Sequence, residues 1–532
     1  MQSGIVSLSA CEKIRERMEA KGEAVMGLRI WVAIYRAVVF STVLFGASMG
    51  TPSAPQTHQA RELPISLHPK NPHYFLFRGK AVALIGSGEH YGAVLNLGVD
   101  YERYLTTIAA DGLNYTRLFG GSYVEVPGKS FGILRNDLAP EPGKFLAPWA
   151  RSETPGYAGG GNKFDLTKWD EAFFVRYRDC LAAAEKRGIV VEISLFSSQY
   201  GELQWQVSPF NPVNNVNGLD AIEWKNLETL ENGNILAFQE AYTRKLVREA
   251  AEFNNVIFEI QNEPWSDRGS LASVINPYLR APARDIFPNS VDLADKLSLA
   301  WQAKVAEWIA SAESSLPHPH LIAEDYSNFR GSVRNVLPGV SVVNFHYAYP
   351  EAVMWNYGLG KAISYDETGF LGRDDDAYRR EAWNFMMAGG SVFDQLDYSF
   401  SPGHEDGMDA EANGPGGGSA ALRRQLRVLS EFLRGFSLAD LRPDTHVVKR
   451  VSGVVAHTLS NPGHEYGIYL DGSWASELTL ELPTGEYSCE WVNVETGAIA
   501  NRENFRHKGG ERTLVAPEFR NGIALRLKVT GR

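Results

Sequence analysis

Cysteine is nearly absent, with only Cys11, Cys180 and Cys489 in 532 residues. This excludes a disulfide framework and a thiolate metal site, since both need several cysteines at fixed spacing. Cys180, on an expected helix, and Cys489 read as small buried hydrophobes. Basic runs are missing as well, and the net charge is −11. A nucleic-acid partner is thereby excluded, because phosphate neutralisation calls for clustered Lys and Arg. No apolar stretch reaches the roughly 20 residues that a spanning helix requires. Nor does a His-x-His strand signature precede Glu263 or Glu367, which counts against a metal-dependent barrel hydrolase, and no cofactor is expected. What is present is ordinary for a globular chain: 44% hydrophobic and 22% charged residues. The length accommodates one α/β barrel of about 250 residues with long insertions, plus a smaller domain.

The N-terminal region resembles an address label. Arg29 and Arg36 precede the apolar run Ala37 to Gly46, which gives way to Ala47-Ser48-Met49-Gly50 and a Pro/Ser/Thr stretch. A charged region, a short apolar core and small residues make a signal peptide. Residues 1–54 are therefore expected to be a signal peptide and leader, which would remove Cys11. Residues 1–25, ahead of Met26, are either an upstream extension or a long charged region. The expected location is secreted or periplasmic, without stable membrane insertion after processing.

Between residues 55 and 440 apolar runs alternate with helical patterns. Strands are expected at 81–85, 115–119, 190–196, 256–261, 321–323, 341–345, 362–366 and 391–395. Helical periodicity lies between them: Tyr101, Tyr104, Leu105 and Ile108 behind an Asp100 cap; Phe173, Tyr177, Leu181 and Ala184 ending at Gly188; Leu236, Tyr242, Leu246 and Ala250; Leu293, Leu297, Ala300, Lys304 and Trp308; and Leu422, Leu426, Leu429 and Leu433. Eight strands in this alternation predict an α/β fold, a (β/α)8 TIM barrel. Only a short turn near 333–337 fits between the fifth and sixth strands.

Two of these strands run straight into an acid. Phe258-Glu259-Ile260-Gln261-Asn262-Glu263-Pro264-Trp265 ends the fourth, and Ile363-Ser364-Tyr365-Asp366-Glu367-Thr368-Gly369 ends the seventh. Catalytic groups of a barrel sit at the C-terminal ends of strands. Two carboxyl groups about 5 Å apart can divide the work of a retaining glycosidase, one protonating the leaving oxygen and the other attacking the anomeric carbon. Glu263 and Glu367 are the candidates. Further polar residues fall on the same rim: Glu89 and His90, Arg117, Gln199, Glu324 and Asp325, His346 and Tyr347, and Gln395 and Asp397.

Asn262-Glu263-Pro264, Glu367, Arg117 and His346-Tyr347, each at its strand end, resemble clan A glycoside hydrolases, the group containing the family 5 cellulases and mannanases. The resemblance implies that Glu263 is the acid/base and Glu367 the nucleophile of a retaining, double-displacement hydrolysis of O-glycosidic bonds. It further implies that Asn262 binds the sugar 2-hydroxyl, that Arg117 keeps Glu367 ionised, and that His346 or Tyr347 orients the nucleophile. The eighth strand end lacks the usual aromatic platform, and Ser197-Ser198-Gln199 stands where histidines are common. The expected partner is a carbohydrate, from plant or microbial oligo- or polysaccharides; the alternative is a carbohydrate-binding barrel without catalysis.

Insertions at 120–165, 200–233, 265–290 and 399–420 crowd the rim, and long loops of this kind are usually lids or binding loops. Walls on several sides favour removal of terminal sugars. Trp149, Trp205, Trp224, Trp265 and Trp355 lie in or beside these loops, where rings stack on sugar faces; Trp265 is counted with the substrate-binding candidates and two of the five are expected only to close loop cores. Asp406, Asp409 and Glu411 lack the spacing of a calcium loop. From residue 441 to 532 short alternating segments predict a β-sandwich, with strands at 447–455, 465–470, 478–482, 487–493 and 523–529. This part resembles the collagen-binding-type domain behind apiosidase-like barrels and is expected to pack on the barrel for stability.

Overall fold

The computed structural model describes residues 63–88, 91–273, 290–410, 416–474 and 476–531. The leader, Cys11, Glu89, His90 and Glu411 lie outside the described residues. Residues 61–532 form one compact unit.

Eight parallel strands make the barrel: β1 (Leu84–Ile85), β2 (Tyr115–Phe119), β3 (Val190–Ser197), β4 (Val256–Asn262), β5 (Leu321–Asn328), β6 (Val340–His346), β7 (Ala362–Thr368) and β8 (Val392–Gln395). Neighbours pair in the order β1-β8-β7-β6-β5-β4-β3-β2. Between β1 and β2 the seam is stitched through Asn114, whose amide N–H donates to the Ile85 carbonyl at 3.1 Å and whose Oδ1 accepts from the Ile85 N–H at 2.8 Å. The expected first strand divides at Ala83: Lys80–Val82 belongs to a separate antiparallel sheet with Ser66–His68 and Asn71–Phe77. That sheet closes the barrel floor, because Ile65, Phe75 and Phe77 join one apolar cluster with Leu84, Tyr115, Val190, Ile257 and Val342.

Helices cover the barrel where sequence caps predict them. Asp100 accepts from the Arg103 N–H to start Tyr101–Ala110, and Gly188, at φ 73°, ends Glu171–Arg187 in the left-handed conformation that glycine adopts without strain. Leu293 departs from expectation. It lies on the strand Ser290–Ala294, because Asp295 accepts from the N–H groups of Leu297 and Ser298 and begins the helix Lys296–Ala312 there. No helix joins β5 to β6, in keeping with the short connection expected.

The C-terminal strands form one continuous antiparallel sheet of seven, a β-sandwich-type domain around its own core of Tyr466, Ile468, Leu480, Trp491 and Leu525. The strands expected at 478–482 and 487–493 are one, Glu477–Asn493, since its pairing with Ile499–Val515 runs through Pro483-Thr484-Gly485. Ile499–Val515 went unpredicted because it is largely exposed and rich in charge, the composition that protects a sheet edge. The sheet packs tightly on the barrel helices: Trp383 stacks on Tyr469 at 5.3 Å, and Arg380 pairs with Asp471 at 2.8 Å.

Candidate active site

Side chains on alternate positions of β2, β3, β4, β6 and β7 point into the barrel, and here they are polar. Arg117, fully buried, is the hub: Nη2 reaches Glu259 at 2.7 Å, Nε lies 3.4 Å from Asp366, and Nη1 donates to Glu367 at 3.1 Å. Glu192 accepts from the Tyr115 hydroxyl at 2.9 Å and from Asn344 at 2.7 Å. Burying charge is tolerable when it is paired and hydrogen-bonded; one guanidinium pairs with three carboxylates here, while burial pushes Glu192 up toward its neutral form. Glu192, Glu259 and Asp366 were not singled out in the sequence. The available signal was a charge placed inside an otherwise apolar strand.

Glu263 and Glu367 stand above this layer at the tips of β4 and β7. One carboxylate oxygen of each, with a nitrogen of His346, lies within a 4.8 Å cluster. Glu263 Oε1 is 3.0 Å from His346 Nδ1, and its Oε2 accepts from the Tyr200 hydroxyl at 2.8 Å. Glu367 accepts from Arg117, from the Tyr347 hydroxyl at 3.0 Å and from the Tyr91 hydroxyl at 3.3 Å. His346 is held from behind, with Nε2 3.2 Å from Asp325, which also accepts the Glu263 backbone N–H at 2.9 Å. Asn262 lines the same cavity, accepting from Arg117 and donating to the Tyr200 hydroxyl at 2.7 Å.

Burial alone would lower the pKa of His346, but Asp325, Glu367 and Asp366 outweigh it and hold the imidazolium well above its ordinary value. Burial would raise Glu263, yet the hydrogen bond and charge of His346, with the Tyr200 hydroxyl, bring it below the usual carboxylate range. Glu367 goes the other way: burial and the charge of Glu263 raise it despite His346 and Arg117. Arg117 acts on Glu367 in the expected direction, lowering it, and is outweighed by burial and the charge of Glu263. The two acids differ for a geometric reason, since His346 Nδ1 is 3.0 Å from Glu263 and 3.5 Å from Glu367.

A narrow pocket of about 70 Å³ opens on the pair, with Tyr91, Tyr123, Glu125, Tyr200, Tyr347 and Tyr398 among its walls. Among the described residues nine non-glycines have positive φ, and five of them line this pocket: Phe131, Tyr200, Glu263, Tyr347 and Phe370. Such backbone costs roughly 1–3 kcal/mol per residue and gathers where function over-determines the chain. A larger cleft of about 660 Å³ at the junction with the C-terminal sheet holds neither acid and none of this strained backbone.

Several expected residues stand elsewhere. Gln395 accepts from Ser87 at 3.1 Å and donates to the Leu396 carbonyl, so Leu396 and Tyr398 reach the pocket in its place. Trp265 packs edge-on against the His346 ring at 5.5 Å, outside the pocket lining. Trp149 is buried against Phe210 and Tyr242, and Trp205, Trp224 and Trp355 do not line the pocket either. Asp397 pairs with Arg423 at 2.6 Å. Gln199 gives its N–H to Asp267, and the next residue, Tyr200, is the one that reaches the acids. Asp406 and Asp409 pair with Arg103 and Arg135 rather than with each other. The set Glu259, Asp325, His346 and Asp366 clusters within 4.8 Å, a donor set of the kind divalent metals accept. Arg117 and the His346 imidazolium supply two positive charges beside its three carboxyls.

No protein-family model matches the chain, and no curated protein matches it in sequence. Solved structures do. A glycoside hydrolase superposes with a TM-score of 0.56 at 11% identity, covering 88% of this chain and 97% of that one. A family 5 glycoside hydrolase from Bacteroides vulgatus gives 0.56 at 10% identity, covering 88% and 93%. The likeness is one of fold, a (β/α)8 barrel followed by a C-terminal β-domain. In this fold Glu263 directly follows the fourth barrel strand and Glu367 lies on the seventh.

Proposed function

We propose that the protein is a retaining glycoside hydrolase that removes terminal sugars from plant or microbial oligo- or polysaccharides. The observation that carries this is the separation of Glu263 and Glu367, whose facing oxygens lie within 4.8 Å. Retaining pairs stand about 5–5.5 Å apart, whereas inverting pairs leave about 6.5–9.5 Å for a water. Support for terminal attack comes from the wall that the first insertion raises beside the pair, with Tyr123, Glu125, Phe131, Ile133 and Leu138, joined by Tyr200 of the second.

Glu367 attacks the anomeric carbon as Glu263 protonates the departing oxygen, giving a glycosyl ester and a free alcohol. Glu263, now a base, takes a proton from water, and the water oxygen displaces Glu367 to return both carboxyls to their starting state. The division of roles rests on the donors. Arg117, Tyr91 and Tyr347 fix Glu367 in position for attack, while Glu263 is bound by His346, whose charge is shared between the two acids. A shift of that shared charge toward Glu367 raises Glu263 and readies it as the acid. Asn262 takes the 2-hydroxyl. Export to a secreted or periplasmic location rests on the residues 1–54 pattern, and the β-sandwich beyond residue 440 acts as a packing domain.

A panel of aryl glycosides tests the reading. Wild type is expected to release the aryl alcohol from at least one neutral glycoside, and Glu367→Gln and Glu263→Gln to lose turnover. Sugar binding without turnover would replace the reading with a non-catalytic binding barrel.

A further inference from the structure

Glu263 and Glu367 are not the only carboxyls of the pocket. Glu125, on the first insertion rather than on any barrel strand, lines it too and is only 6% exposed. A buried acid on a loop needs a built setting, and this one has it. The Glu125 N–H donates to the Leu138 carbonyl at 2.8 Å, Oε1 accepts from the Tyr123 hydroxyl at 3.0 Å, and Oε2 accepts from the Asn136 side chain. Asn136 is itself fixed by the Leu138 N–H at 2.9 Å, and the segment is tied to the barrel where Asp137 accepts the Gly92 N–H at 3.2 Å and its carbonyl accepts from Asn96 at 2.8 Å. These contacts hold the wall together within the protein itself.

Each carboxylate oxygen has two lone pairs, and the protein occupies one on each. Glu125 lines a pocket whose other walls are largely aromatic, and this acceptor capacity is what a ligand there would meet. Two adjacent sugar hydroxyls are the donors that fit such a fork. A sugar acid does not: it would meet three carboxyls, while Arg117 is spent on Glu259, Asp366 and Glu367 and His346 on Asp325 and Glu263. Burial pushes Glu125 up to about 7, with the charge of Glu367 adding to it, so the two groups share one electrostatic site.

Building on the glycosidase reading, we infer that Glu125 is the specificity residue of the terminal-sugar subsite, binding a hydroxyl pair of a neutral glycone and excluding uronic acids. The test compares wild type with the near-isosteric Glu125→Gln in two readouts, at pH 8 where the carboxylate is ionised. The first is kcat/KM on neutral aryl pentosides and hexosides, their deoxy analogues and aryl uronides. The second is calorimetric binding of the corresponding 1-deoxyiminosugars. E125Q is expected to lower kcat/KM on the preferred neutral glycoside about 10- to 100-fold, the scale of a hydrogen bond to a charged group. On the analogue lacking the recognised hydroxyl the loss should be less than about threefold, and rejection of the uronide should weaken. Equal melting temperatures exclude misfolding as the cause. Unchanged discrimination in E125Q, with kcat/KM within about twofold of wild type, overturns the inference while leaving the glycosidase reading intact. Iminosugar binding that depends on Glu125 in a protein that cleaves nothing overturns the glycosidase reading and keeps the inference. Absence of both turnover and binding overturns the two together.

Discussion

The Tyr200 hydroxyl donates to Glu263 at 2.8 Å, and both residues hold left-handed backbone, at φ 56° and 49°. A tyrosine and a glutamate gain nothing locally from that conformation. It is maintained because Asp267 accepts the Tyr200 N–H at 2.8 Å and Asp325 accepts the Glu263 N–H at 2.9 Å. Two second carboxylates therefore aim the pair at one point.

Tyr200→Phe is expected to slow kcat/KM about tenfold and to move the alkaline limb of its pH profile upward. The hydroxyl favours the ionised form of Glu263, so its loss raises the pKa and keeps the acid protonated to higher pH. A profile shifted downward, or unshifted, would contradict the contact.

Arg117→Met leaves Glu259, Asp366 and Glu367 without their shared cation. Breaking a buried pair in this way costs roughly 3–5 kcal/mol, measured as the loss in unfolding free energy by denaturant titration. The double variant with Glu259→Gln should lose less than the sum of the two single changes, since Nη2 of Arg117 and the Glu259 carboxylate make one interaction at 2.7 Å.

Glu324, buried on β5, gives the pH dependence of stability a definite sign. Burial pushes its carboxyl up to about 8, so between the unfolded value near 4.5 and 8 the folded state holds a proton that the unfolded state releases. Stability is highest at the acid end of that window and falls as pH rises, by up to ~1.4 kcal/mol per unit from this group. Thermal scans from pH 5 to 8 should show a shallower fall for Glu324→Gln than for wild type.

The parts of this arrangement that follow one-dimensional patterns were legible. Seven of the barrel strands kept their position within a few residues; Glu263, Glu367, Asn262 and Tyr347 line one pocket, and Arg117 and His346 contact the two acids from beneath. Period-two apolar runs and capped helices carry that information in the chain itself. Tyr200, Tyr91, Glu125 and Tyr398 were not legible, because loop residues enter the pocket through turns with positive φ or long excursions that no periodicity marks. Gln395 failed for a related reason. The barrel rule locates a strand end, yet which residue there turns inward depends on hydrogen bonds such as that from Ser87. The order of acidity of the two glutamates was equally hidden, since it turns on a half-ångström difference in the position of His346 between them.

The division of labour between the two acids is tested most directly by azide rescue. In Glu367→Gly, azide should enter the vacated face, bond to the anomeric carbon as the aryl oxide leaves, and give a glycosyl azide of inverted configuration. In Glu263→Gly it should instead capture the glycosyl ester of Glu367 and give the retained product. The reverse pattern, inverted azide from the Glu263 variant and retained azide from the Glu367 variant, would contradict the assignment.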